Sequence, residues 1–279
     1  MEPALITWSR GGRVRGHVIE NAVGLIPAAG KGLRLGLPYP KELYPIIRDN
    51  RYKPVSEFVV DNLVSSGVTN LVFVINETKH QLIGYFGDGR RFGCRVCYVV
   101  QEGAPVCGAS TSPGLAHALD SAYHIVHGKT VFFGMADTIM EPADVFARAA
   151  AFADDADDVV LVLFPTTRPE KFGMVRMDGE GHVVEVVDKP RQTTLTEMWG
   201  AIVWGPRFTE HLHASVRDGI SDFAHILNSA VEAGMRVRGL SVSDGTYADL
   251  GTYEEIEELD ALSRESGRAT EDGQPWREP

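Results

Sequence analysis

The residues with the clearest chemical capacity lie in one short run, Pro27-Ala28-Ala29-Gly30-Lys31-Gly32-Leu33-Arg34-Leu35-Gly36, followed by Pro38, Pro40 and Lys41. Small residues that follow a strand let backbone N–H groups come close to an anion, and local dipoles then favour its negative charge. Arg34 adds a planar fork of donors and Lys41 a compact point charge. The chemistry indicated is phosphate handling; the alternative is a glycine-rich turn carrying solvated cations. Two familiar phosphate loops fail on spacing. A Walker A loop needs four residues between its first glycine and a Gly-Lys pair, whereas Gly24 and Gly30 enclose five and Gly32 follows Lys31. A dinucleotide loop needs Gly-x-Gly-x-x-Gly, and Gly30, Gly32 and Gly36 leave one residue too many. Other signals are weaker. Cys94-Arg95-Val96-Cys97 falls in or beside a strand, where positions i and i+3 face opposite sides, which disfavours zinc. Glu210-His211-Leu212-His213 reads as a solvated helix face, and Asp154, Asp155, Asp157 and Asp158 as a loop without calcium-site spacing.

The loop needs a strand before it and a sheet around it, and the chain supplies both. Val23 to Pro27 reads as a buried strand, Ser56 to Ser65 as a helix, Asn70 to Ile75 as a strand and Lys79 to Phe86 as a helix. Val96 to Gln101, Thr130 to Phe133 and Asp158 to Phe164 are further strands; Gly114 to His127 and Pro142 to Phe152 are helices. Apolar strands alternating with helices predict a mainly parallel sheet covered on both faces. From Gly173 to Val187 the pattern becomes two strands around Asp178-Gly179-Glu180-Gly181, a hairpin. The expected organisation is an arm over 1–20, a domain over 21–262 with halves of about 21–165 and 166–262, and a polar tail over 263–279. Composition agrees with a globular protein: 279 residues, 44 % hydrophobic and 23 % charged. The formal charge of −11 argues against a general nucleic-acid binder. Three cysteines point to a reducing cytoplasm, and no apolar run is long enough for a membrane span.

The loop resembles the signature of the sugar-1-phosphate nucleotidyltransferases, the NDP-sugar pyrophosphorylases that include glucose-1-phosphate thymidylyl- and uridylyltransferases. These have a strand, a Gly-x-Gly-x-Arg-Leu loop and a later Pro-Lys; here the Arg34-to-Lys41 spacing is similar to the N-acetylglucosamine-1-phosphate uridylyltransferase branch and to small cytidylyltransferases. Further stretches match in order from Val23 to Leu262. Gln101 and Pro113-Gly114-Leu115-Ala116-His117-Ala118 are similar to the base-holding segment, and Gly134-Met135-Ala136-Asp137 to the metal-binding aspartate segment. Phe172-Gly173-Met174-Val175 and Val187-Asp188-Lys189-Pro190 resemble the elements around the sugar phosphate. Tyr247-Ala248-Asp249-Leu250-Gly251-Thr252 resembles the segment with a second metal-binding aspartate. The fold implied is α/β, a Rossmann-like doubly wound mixed sheet of the nucleotide-diphospho-sugar transferase type, with an inserted antiparallel α+β sugar-binding part.

The resemblance implies in-line attack by a phosphate-monoester oxygen on the α-phosphorus of a nucleoside triphosphate, expelling pyrophosphate. Both reactants are anionic, so the work is charge neutralisation and alignment. It assigns Arg34 to the departing pyrophosphate, Lys41 to the phosphates in the transition state and Lys189 to the acceptor phosphate. Ala29, Gly30, Gly32, Gln101 and Gly114 are nucleotide-binding by the same resemblance; Gly173, Asp188, Lys189 and Trp199 face the sugar phosphate. Asp137 and Asp249 are the ligands of Mg²⁺, a hard cation suited to carboxylate and phosphate oxygens. The partners are a nucleoside triphosphate and a phosphorylated sugar or sugar-like acceptor, with no nucleic acid or membrane; a homo-oligomer is compatible with this. Three departures stand out: Leu33 where the family places Thr, Asp188 where it places Glu, and Trp199 where Asn or Thr precedes the glycine. The first removes one hydroxyl contact from the loop; the other two point to an acceptor other than plain glucose 1-phosphate. The alternatives are a cytidylyltransferase of a non-sugar alcohol phosphate and a regulatory paralogue without turnover.

Overall fold

The computed structural model of the chain describes residues 19, 21–30, 32, 35–48, 51–101 and 114–257. The proposed arm apart from Ile19, the tail, Arg34, Lys31, Leu33 and Pro113 lie outside the described residues. The first half runs β1 (Ala22–Pro27), β2 (Pro45–Arg48), β3 (Arg51–Pro54), α1 (Val55–Ser65), β4 (Asn70–Ile75), α2 (His80–Phe86) and β5 (Arg95–Val100). It continues with α3 (Leu115–Asp120), α4 (Tyr123–Val126), β6 (Thr130–Gly134), β7 (Thr138–Glu141), α5 (Val145–Phe152) and β8 (Val159–Pro165). The second half holds β9 (Gly173–Met177), β10 (Val183–Asp188), β11 (Glu197–Trp204), α6 (Pro206–Arg217), α7 (Phe223–Glu232), β12 (Val237–Ser241) and β13 (Thr246–Asp249). The helix expected over Gly114 to His127 is two short helices, and the one expected from Pro142 begins at Val145.

One nine-stranded sheet runs through both halves, in the order β10-β9-β11-β6-β1-β4-β5, with β8 also on β11 and β12 on β8. β1 pairs parallel with β4 and β6, and β4 with β5, while β11 runs antiparallel to β6, β8 and β9. The antiparallel part is thus an extension of the same sheet, and its last strand, β12, pairs parallel with β8. Strand periodicity of two decides the layers. Val23, Leu25, Val72, Val74, Val131 and Phe133 face one core, covered by α3, α6 and α7. Ile26, Leu71, Phe73 and Phe132 face the other, covered by α1, α2 and α5. A third, small core of Leu35, Ile46, Val55, Phe58, Ile139, Leu250 and Ile256 seals the sheet's carboxyl edge. No helix among the described residues is long and apolar enough to cross a membrane.

Candidate active site

Chain order explains where the site must be. From β1 the chain winds through β4 to β5, then returns to β6 on the opposite side of β1. The two windings use opposite faces, α1 and α2 on one and α3 on the other. A crevice therefore opens at the carboxyl ends of β1 and β6, the switch point at which open α/β sheets bind ligands. The glycine loop leaves β1 there and Asp137 follows β6.

Ala28 and Ala29 are buried; Ala28 N–H donates to Val74 O at 2.7 Å, and Asn76 Nδ2 donates to Ala29 O at 2.8 Å. Gly30 is exposed. Gly32 has φ 62°, and a Cβ there would stand 3.8 Å from Lys41 Cγ, so the loop crosses over the lysine stem in a conformation that suits glycine. Lys41 opens a 3₁₀ turn through Leu43 and ion-pairs with Asp137 Oδ2. Burial lowers its pKa, but Asp137, with Glu42 and Asp249, outweighs this and raises it above 10.5. Beside it lies a cleft of about 190 Å³ bordered by Gly32, Tyr39, Lys41, Thr78, Lys79 and Gln81.

The small sheet β7–β13 joins the two aspartates. Asp249 is in register with Thr138, and Leu250 N–H donates to Asp137 O at 2.9 Å. Burial and the neighbouring Asp137 carboxylate push Asp249 up to about 7, against the pull of Lys41 and Lys171. Two carboxylates gathered with too little compensating charge form a donor set that fits one hard divalent cation shared with substrate phosphates. No group of three or more His, Cys, Asp or Glu poised for a metal occurs among the described residues, so an all-protein cage is not what this pair belongs to.

The residues that the resemblance assigns to the acceptor form a second group. Asp188 is in register with Gly173. Lys189 takes φ 45°, uncommon for a residue with a side chain, and its N–H donates to Phe172 O at 2.9 Å. Its ammonium is exposed, 3.5 Å from Asp188 Oδ2. Trp199 is half-buried: it packs on Phe133 and Phe223, and a Cβ on Gly173 would lie 2.2 Å from its Nε1. The two groups meet where Phe172 packs edge-on against Tyr247, with ring centroids 5.7 Å apart. Gln101 directly follows β5, with its N–H donating to Ile75 O at 2.8 Å, and Gly114 caps α3. They flank 102–113, which lie outside the described residues.

Sequence reasoning missed Lys171 and Glu255. Glu255 accepts from the N–H groups of Gly251 and Thr252 at 2.8 and 2.9 Å, and Thr252 Oγ1 accepts from Glu255 N–H at 3.3 Å. This capping box fixes the turn after Asp249, and Lys171 Nζ braces it at 2.6 Å. Thr-x-x-Glu is a legible signal; the lysine is not. The histidine reading also needs correction. His211 and His213 are bonded to Ser229 and Asp120 at 2.8 Å each, which ties α6 to α7 and α3 where a solvated face was expected. Cys94 is buried and Cys97 exposed, in keeping with opposite strand faces.

A sheet of this topology, with charge gathered at its switch point, places the chain among the nucleotide-binding α/β proteins. Within that class a family model, Nucleotidyl transferase, matches residues 23–265, and the chain belongs to that family. It is similar to the low-salt glycan biosynthesis nucleotidyltransferase Agl11 of Haloferax volcanii, 27 % identical over 248 residues that are 86 % of this chain and 65 % of the relative. It is also similar to a glucose-1-phosphate thymidylyltransferase of Streptomyces griseus, 25 % identical over 89 % of this chain and 68 % of that protein. The chain thus spans about two thirds of these relatives' length. Among solved structures, a Bacillus anthracis protein described as a glucose-1-phosphate thymidylyltransferase, in complex with sucrose, has the same fold. Its TM-score is 0.74 at 22 % identity, covering 92 % of this chain and 98 % of the other. The doubly wound mixed sheet is the nucleotide-diphospho-sugar transferase type.

Proposed function

We propose that the chain is a divalent-metal-dependent nucleotidyltransferase that joins a nucleoside triphosphate to a sugar 1-phosphate or sugar-like phosphate and releases pyrophosphate. The observation that carries the reading is the convergence of Lys41, Asp137 and Asp249 at the switch point beside a glycine loop. Asp137 and Asp249 would hold the cation, Mg²⁺ by its hardness, and once bound it supplies charge stabilisation to the phosphates. Lys41 presents a fixed cation to the reacting phosphates; Ala29, Gly30 and Gly32 bring backbone close to the triphosphate, with Arg34 on the pyrophosphate side. Gln101 and Gly114 border the base. Lys189, Asp188, Gly173 and Trp199 receive the acceptor, and the Trp199 ring narrows the pocket beside Gly173. No side chain need become covalently modified. A pyrophosphate-release matrix of five triphosphates against phosphorylated sugars, cyclitols and alditols tests the proposal; no release from any pair refutes it.

Two expected results follow from the site. Lys189→Ala raises KM for the acceptor roughly tenfold, the size of a charge-assisted bond to phosphate, and leaves KM for the triphosphate unchanged. Initial rates with each substrate varied in turn check this, and a triphosphate-only defect would reverse the two subsites. The second concerns pH. Asp249 must be ionised to bind a metal, and its pKa is raised from 3.8 to about 7. Below about 7, Mg²⁺ affinity measured by calorimetry should fall about tenfold per pH unit as the proton competes. Without metal the sign for folding is opposite: the raised carboxyl stabilises the folded chain below its ordinary value of 3.8, and that contribution is lost as pH rises through about 7. A flat metal affinity between pH 5 and 8 would remove Asp249 from the metal site.

A further inference from the structure

Two buried charges beside the site have no part in the chemistry above. The Glu42 carboxylate and the Lys79 ammonium are ion-paired, with 2 % and 4 % of their side chains exposed. Glu42 Oε2 has no hydrogen-bond partner among the described residues. A buried pair seldom stabilises a fold better than well-packed apolar side chains would, so its placement calls for another reason. Glu42 directly follows Lys41 in one 3₁₀ turn, whose carbonyl at Glu42 accepts from Ser56 Oγ at 2.6 Å. Lys79 closes the turn after β4, its N–H donating to Asn76 O at 3.1 Å. From that same turn Asn76 Nδ2 holds Ala29 O, while Asn76 Oδ1 accepts from Thr78 N–H and Oγ1–H at 2.9 and 2.7 Å. One turn thus grips the glycine loop at both ends, at Ala29 where it leaves β1 and at Glu42 where it closes. Glu42 and Asp137 both attract the Lys41 ammonium, and it sits on Asp137.

We propose that Lys79 and Glu42 are a positioning pair: Lys79 neutralises Glu42, so that the Lys41 ammonium stays with Asp137 and the substrate phosphates and does not fold back onto the adjacent carboxylate. The inference rests on the reading of Lys41 as a phosphate-facing group. Lys79→Met keeps the side chain's length and removes its charge. In a crystal structure of that variant, Lys41 Nζ leaves Asp137 for Glu42. Its kcat for pyrophosphate release falls roughly 10²-fold, as a misplacement of about 1 Å can cost, and the acceptor KM stays within about twofold because Lys189 is untouched. Adding Glu42→Gln to Lys79→Met removes the competing carboxylate and restores kcat to within about tenfold of the parent, a coupling that independent sites do not show. Lys79→Arg, which keeps the neutralising charge, also restores it. A pair with only a structural role would lower Tm and leave kcat per folded molecule unchanged. Unchanged kcat in folded Lys79→Met, or a double variant no faster than the single, overturns the inference. If Lys79→Met does not fold, Lys79→Gln, which still donates a hydrogen bond to Glu42 without neutralising it, carries the same expectations. If the parent releases no pyrophosphate from any substrate pair, the function proposed above fails separately. The crystal structure then decides this inference, and Lys41 still seated on Asp137 in the variant overturns it.

Discussion

Asp137→Asn and Asp249→Asn should each lower kcat roughly 10²–10³-fold with Mg²⁺ present, the several kcal/mol that metal-centred charge stabilisation supplies. A neutral amide keeps the shape of the carboxylate and donates nothing comparable to a hard cation. The two variants differ in stability, and the difference is informative. Asp249→Asn removes a carboxylate that burial, and then repulsion from Asp137, raises to about 7, so above that pH its Tm in chelator should hold or rise. Asp137→Asn also strips Lys41 of its ion-pair partner, leaving a mostly buried ammonium facing an amide, and its Tm should fall. Both keep the backbone bond from Leu250 N–H to Asp137 O, so the β7–β13 join survives in each. Thermal melts and pyrophosphate-release rates on the same preparations check both halves. Near parental rates in either variant would detach that residue from the metal.

What the sequence made legible follows from burial. β1 and β4 are apolar runs buried nearly end to end, AVGLIP and NLVFVI, and read directly as central strands. β11, EMWGAIVW, lies between β6 and β8 and is buried at five consecutive positions, so it lacks the alternation that marks a strand with one wet face, and Gly200 interrupts its apolar run. β7 and β13 have four residues each; their pairing joins positions more than 100 apart, which no local pattern encodes. That short join is what brings Asp137 to Asp249; the family resemblance implied their meeting by giving both to one cation, while no local pattern carried it. Glu42 and Lys79 were hidden for a different reason. Charged residues read as surface, and only the tertiary structure reveals a pair with almost no exposure. Trp199 shows the opposite limit: the motif assigned it to the acceptor pocket, while what the fold displays is its packing against Phe133 and Phe223.

Lys41→Ala should lower kcat roughly 10²–10³-fold, the range for removing a preorganised group that meets developing charge, while KM for the triphosphate changes far less. The ammonium's raised pKa keeps it charged across the working range, so its contribution should not vary between pH 6 and 9. A second measurement separates this role from simple balancing of Asp137. Without Lys41 the two aspartates lose the cation that pairs with Asp137, and the site becomes more negative. Metal affinity should therefore rise as turnover falls, because the electrostatic attraction for a divalent cation is no longer offset. A lysine that served only to hold Asp137 in place would give the other pattern, with metal affinity and kcat falling together as the carboxylate drifts. Calorimetric titration of Mg²⁺ into Lys41→Ala, alongside steady-state rates at saturating metal, distinguishes the two. A variant with parental kcat and a raised KM would mean that Lys41 binds ground state and transition state equally, and the charge at the switch point would then serve recognition of the triphosphate rather than its chemistry.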